Sequence, residues 1–157
     1  MATSTTSYFY SQRGRRTVPT TQRNFNRRLD SLSMVFDLID KFTTEKGVDD
    51  QAKHAVSVAV DELFTNMVKY QPSNENSITL ELRADRETMT VHLIDRDVDQ
   101  FDRTKKPAPY LGSSLDERRP AGLGIFLTKQ LMDDVQYRYG DRTSLIILKK
   151  RFQRQYV

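Results

Sequence analysis

From Leu29 to Phe42 the apolar residues Leu29, Leu32, Val35, Phe36, Ile39 and Phe42 recur every three to four positions, the spacing of one helix face. Gly47 is placed to stop that helix, because glycine takes the left-handed conformation of a helix end without a Cβ penalty. A second helical stretch, "DDQAKHAVSVAVDELFTNMVKYQP", gathers Ala52, Val56, Ala59, Leu63 and Met67 on one face and ends at Pro72. The period then changes to two. In "NSITLELRA", Ile78, Leu80 and Leu82 alternate with polar residues, and in "ETMTVHLID", Met89, Val91 and Leu93 do the same. Asp85 and Arg86 between them suit a tight turn, so a strand pair is expected.

Residues 103–121 have no period and contain three prolines. A structureless loop of that length inside a small domain is more often functional than incidental. "GLGIFLTKQLMDD" follows as a helix opened by glycines, then "VQYRY" and "TSLIILKKR" as strands around a Gly-Asp turn. Helix, helix, strand, strand, long loop, helix, strand, strand is the order of an α/β (α+β) two-layer sandwich: a mixed, mostly antiparallel sheet with helices on one face. The chain has 157 residues, enough for one domain, taken here as residues 25–157.

Charge changes the picture at one end only. Residues 1–28 carry six arginines, Arg27 and Arg28 among them, and no acid, whereas the remainder holds 19 bases against 21 acids. Residues 1–24 read as a basic, flexible leader. No aromatic-plus-basic nucleic-acid module is legible, so direct nucleic-acid binding is not expected. No apolar run approaches the roughly 18 residues of a membrane helix, and the N-terminus lacks the order of an export signal, so a cytoplasmic location without membrane contact is expected. With no cysteine, thiol chemistry is excluded, and with only two histidines a zinc enzyme is not expected. His54 is expected on the surface, and His92 on the sheet face opposite Val91 and Leu93.

Three stretches carry chemistry. Glu62, Asn66 and Lys69 share one stripe of the second helix, at the edge of its core face. That set can orient a hydroxyl, offer one oxygen to a magnesium ion and meet a phosphate; it also fits a plain solvated helix face. "DRDVDQFD" puts four aspartates, Asp95, Asp97, Asp99 and Asp102, after an apolar strand. A calcium loop fails, because its sixth and twelfth positions are Gln100 and Lys106 rather than glycine and glutamate. Gly122 and Gly124 open the third helix directly after the long loop, where free N–H groups and the helix dipole favour a phosphate.

In this order the three stretches resemble the GHKL (Bergerat-fold) ATPases. "DELFTNMVKY" is similar to their N-box, and "DRDVDQFD" stands where they have D-x-G-x-x-F-D, one residue longer here. "RPAGLGIFLTKQLMDDVQY" is very similar to the second glycine box of the bacterial anti-sigma-factor serine/threonine kinases. The resemblance covers about residues 25–150. It implies ATP and Mg2+ as cofactors, with Glu62 as the general base toward a substrate hydroxyl. Asn66 would be the magnesium ligand, Lys69 a phosphate contact and Asp95 the acceptor for the adenine amino group. Asp97 would lie close beneath the base. Gly122, Leu123 and Gly124 would close over the phosphates, residues 103–121 would form the ATP lid, and Arg118 or Arg119, of which Arg119 is preferred, would steady the γ-phosphate. Thr143 would stand on the base side. It further implies a sigma factor and an anti-anti-sigma (STAS-type) protein as partners, and a homodimer.

One position departs from the pattern. Asp97 replaces a glycine, and a side chain there is expected to crowd the base and weaken or abolish nucleotide binding. The leading expectation is therefore an anti-sigma factor that is also a serine/threonine kinase. The alternative is a non-catalytic module of the same fold that captures a sigma factor or its antagonist. A sensor histidine kinase fits poorly, since neither "HAVSV" nor "HLIDR" has the acid and proline that follow a phosphoacceptor histidine.

Overall fold

The computed structural model describes residues 18–71, 73–100 and 127–155. Strand β1 (Thr20–Phe25) and a 3-10 turn (Leu29–Ser31) precede helices α1 (Leu32–Lys46) and α2 (Asp50–Tyr70). Strands β2 (Ile78–Ala84), β3 (Thr88–Arg96), β4 (Asp134–Gly140) and β5 (Thr143–Arg151) complete the sheet, and residues 127–131 are helical ahead of β4. The strand order is β1-β2-β3-β5-β4. Every pairing among the described strands is antiparallel, so the expected mixture with parallel strands is absent there.

The helices fall where the periodicity puts them. Val35, Ile39 and Phe42 of α1 and Ala52, Val56, Ala59, Leu63 and Met67 of α2 are all buried. They pack on Ile78, Leu80, Leu82, Met89, Val91, Leu93 and Leu148 of the sheet. Leu29 is the exception at 47% exposed, because the helix proper begins only after it. Strand β1 was hidden from the pattern. Its sequence, TTQRNF, has a single buried residue, Phe25, so an exposed edge strand shows no alternation. Residues 20–24 therefore belong to the sheet rather than to the leader. Phe25 meets Phe64 edge-on with ring centroids 6.5 Å apart, which fixes β1 to α2.

The α1–α2 junction is held from both sides. Gly47 caps α1 at φ 66°, and Val48 N–H donates to the Thr43 carbonyl at 2.9 Å. Asp49 accepts from Ala52 N–H at 2.9 Å and from Gln153 N–H at 2.7 Å, capping α2 and docking the chain that leaves β5. Burial pushes the Asp49 carboxyl up, but these backbone donors outweigh it and hold the group below its ordinary value.

The sheet face away from the helices carries a polar network. The Thr79 hydroxyl donates to Asn24 and accepts from Arg96, both at 2.7 Å. Buried Glu81 pairs with Arg83 and lies 3.3 Å from Nδ1 of His92, which stands on the expected face.

Two outcomes follow. In Gly47→Ala the new methyl group would meet the Gln155 carbonyl at 2.7 Å, in a backbone region that L-residues avoid. Urea denaturation should show a loss of about 1–3 kcal/mol; an unchanged midpoint would contradict this account of the cap. Glu81 is held below its ordinary value by the His92 hydrogen bond first, against burial, with the charge of Arg83 adding to it. Its contribution is thus present above the ordinary glutamate range and is lost as pH falls through the lowered folded value. Thermal melts should show wild type more stable than Glu81→Gln near neutral pH, with the gap closing on acidification; a gap that widens toward acid would refute it.

Candidate functional site

Helix α2 sets out the first part of the site. Glu62 and Asn66 lie one turn apart and both are half-buried, while Lys69 is exposed in the last turn. The Asn66 side chain makes no hydrogen bond among the described residues. An amide oxygen, half-buried at the edge of the helix, is the donor type a hard cation takes, so this end of the site fits the magnesium ion that the resemblance implies.

The second part sits at the end of β3. Asp95 shares the strand face of Val91 and Leu93, turned toward the helices, and is buried. Its carboxylate is already engaged. The Arg27 guanidinium forks onto it, with Nη2 meeting Oδ1 and Nη1 donating to Oδ2 at 3.3 Å. Nη1 also donates to the Met67 carbonyl at 2.9 Å, and Nε to the Asn76 carbonyl at 3.2 Å. One side chain from the β1–α1 connection thereby joins the backbone of α2, directly after Asn66, to the end of β3. Nothing in the sequence marked Arg27 for this role, since it stands among the basic residues of the leader end.

Asp97 answers differently from expectation. It adopts φ 58°, the left-handed region for which glycine is the ordinary choice, so the family's glycine has a conformational reason at this position. Its carboxylate is 67% exposed and turned out to Arg142, whose Nε donates to Asp97 and Nη1 to Asp99, each at 3.0 Å. These hydrogen bonds, that of Asp97 first, raise Arg142 above its ordinary value. The Asn74 amide donates to the carbonyls of Arg96 and Asp97 at 3.2 Å. Tyr139 Oη donates to the Val98 carbonyl at 2.8 Å. The Asp97 side chain, expected to crowd the base, turns its carboxylate outward to Arg142, and the loop is shaped by its backbone.

Thr143, expected on the base side, stands at the start of β5. It pairs with Arg96, on the sheet face away from the helices, whereas buried Ser144 pairs with Asp95 and shares its side. Strand register decides between neighbours at a strand start, and that register was not readable before the pairing of β3 with β5 was known. Phe101, Asp102, the lid at 103–121 with Arg118 and Arg119, and the turn of Gly122, Leu123 and Gly124 lie outside the described residues.

With this geometry in view, comparison with known proteins is direct. Residues 25–150 match the histidine kinase-like ATPase domain. The chain belongs to that family. This ATPase-family domain is 31% identical over 109 residues to the serine-protein kinase RsbW of Listeria innocua serovar 6a, covering 66% of the chain and 69% of the relative. It is 29% identical over 91 residues to the serine/threonine-protein kinase BtrW of Bordetella bronchiseptica, covering 57% and 63%. Among solved structures it is similar to the RsbU and RsbW domains of a Mycobacterium tuberculosis protein, with a TM-score of 0.63 and 14% identity over 88% of this chain. The match takes in 35% of that longer chain. It is also similar to a chain of the SiaB–SiaC complex from Pseudomonas aeruginosa, with a TM-score of 0.58 and 12% identity over 84% of this chain and 88% of that one. The last two establish the fold alone.

The outward Asp97 carries a prediction. Asp97→Gly should keep stability within about 1 kcal/mol, because relief of the left-handed backbone offsets the loss of an exposed ion pair. Asp97→Val should cost about 1–3 kcal/mol, since a β-branched residue resists that conformation. Chemical denaturation of both variants measures it; equal losses would show that the backbone is not the determinant.

Proposed function

We propose that this chain is an ATP-dependent serine/threonine protein kinase and anti-sigma factor, phosphorylating an anti-anti-sigma protein and holding a sigma factor when free to do so. The observation that carries the reading is the pairing of Glu62 and Asn66 one turn apart on α2, with Asp95 drawn beneath the same helix through Arg27 and Met67. The kinase relatives at 31% and 29% identity support it. A homodimer is part of the proposal.

In this reading Glu62 accepts the proton of the substrate serine or threonine hydroxyl, which makes the oxygen a better nucleophile. Asn66 offers its amide oxygen to Mg2+ and so fixes where the metal and the phosphates stand relative to Glu62. Lys69, at the exposed end of the same stripe, meets phosphate charge from the solvent side. Bound Mg·ATP supplies the phosphoryl group and the cation that offsets its charge. The protein's share is positioning and electrostatics, as in phosphoryl transfer generally. No helix of the described residues is long and apolar enough to cross a membrane.

The non-catalytic alternative gains one specific observation: the carboxylate that would select adenine is held by Arg27. A transfer assay separates the two. With radiolabelled ATP and an anti-anti-sigma protein, Glu62→Ala should lose about 10²-fold or more of the transfer rate while nucleotide affinity changes little. Transfer at the wild-type rate by that variant would remove Glu62 from the mechanism. A wild-type chain that captures the partner without labelling it would establish the binding module instead.

A further inference from the structure

Resting on the reading that this site takes a nucleotide, we infer that Arg27 sets both its affinity and its base selectivity, by competing with adenine for Asp95. The side chains of Arg27 and Asp95 are 3% and 5% exposed, so the carboxylate has almost no surface left for a ligand. The guanidinium meets both Asp95 oxygens and also occupies the Met67 and Asn76 carbonyls. Adenine would present an exocyclic amino group to the same carboxylate. Both groups are planar N–H donors, but the guanidinium carries a charge and a two-pronged geometry, and such bonds are the stronger ones. The internal donor therefore holds the position until it is displaced.

Two consequences distinguish this from a merely structural tie. Base discrimination is weak while Arg27 satisfies Asp95, because guanine and adenine then differ little in what they gain. Loosening Arg27 improves ATP binding more than GTP binding, because adenine brings its 6-amino donor to the freed acceptor where guanine in the same pose would bring a carbonyl oxygen, which a carboxylate repels. Asp95 is the selective element and Arg27 is its competitor.

Titration calorimetry with Mg·ATP and, separately, Mg·GTP on the full chain, Arg27→Lys and Arg27→Ala tests the inference. Lysine keeps one cation but cannot fork onto the carboxylate while also holding Met67 and Asn76. ATP affinity should rise about threefold or more in Arg27→Lys and about tenfold or more in Arg27→Ala, with the ATP-to-GTP preference rising alongside. If Arg27→Ala does not fold, as a melt would show, Arg27→Lys decides alone. Wild-type binding with unchanged or weaker binding by the variants sinks the inference and leaves the nucleotide reading standing. Equal gains for ATP and GTP also sink it, since they would reflect a loosened site rather than a freed acceptor. No heat from any of the three chains would overturn the nucleotide reading and this inference together.

Discussion

A buried ion pair holds the working end of this domain together. Arg27 and Asp95 lie almost wholly out of water, and Nη1 and Nε of the guanidinium also donate to backbone carbonyls of two further segments. Burying two charges is costly unless geometry and extra hydrogen bonds compensate, and here both are present. Loss of one partner from such a pair typically costs about 3–5 kcal/mol, because the other is left as an uncompensated buried charge. The β1–α1 connection, the last turns of α2, the approach to β2 and the end of β3 are thus fastened at one point. The position of Asn66 relative to Asp95 follows from that fastening: Met67, next in the chain, is one of the atoms' anchors.

The loop after β3 is fastened separately and by weaker means. Asp97 sits in a left-handed conformation, Asn74 holds two of its carbonyls, and Arg142 reaches across from the β4–β5 turn to both Asp97 and Asp99. The arginine and both carboxylates are largely exposed, so each pair is worth little in water. Their value is geometric. They bring the β4–β5 turn against the end of β3, where Ser144 lies opposite Asp95.

How much of this was legible follows from how each signal is encoded. Helix faces and the alternation in β2 and β3 are written in one-dimensional periods, so α1, α2 and the central strands were readable from residue order. Strand β1 was not, because an edge strand exposed on both sides has no hydrophobic period to show. The placement of Glu62 and Asn66 one turn apart on α2 was readable for the same reason as its core, since they are locally spaced. The partner of Asp95 is 68 residues away and looked like one more arginine in a basic segment. The side chosen by Thr143 or Ser144, and the outward turn of Asp97, depend on register and backbone conformation. Neither is a property of residue type alone.

On the proposed reading, a kinase and a partner-binding module of this fold differ by one equilibrium. With Arg27 seated, Asp95 is spent on the fold; with Arg27 displaced, it is available to a base and the fastening at Met67 and Asn76 is given up. A nucleotide that needs the displaced state has its affinity reduced by the fraction of time that state exists. A population of about 1% weakens binding about 100-fold. A partner that pulls the β1–α1 connection outward would raise that population and tighten nucleotide binding by the same factor, and by linkage the nucleotide would favour that partner equally. On that reading the Glu62–Asn66 stripe on α2 can be intact while its use is governed through Arg27, which binds the Met67 carbonyl and Asp95 instead.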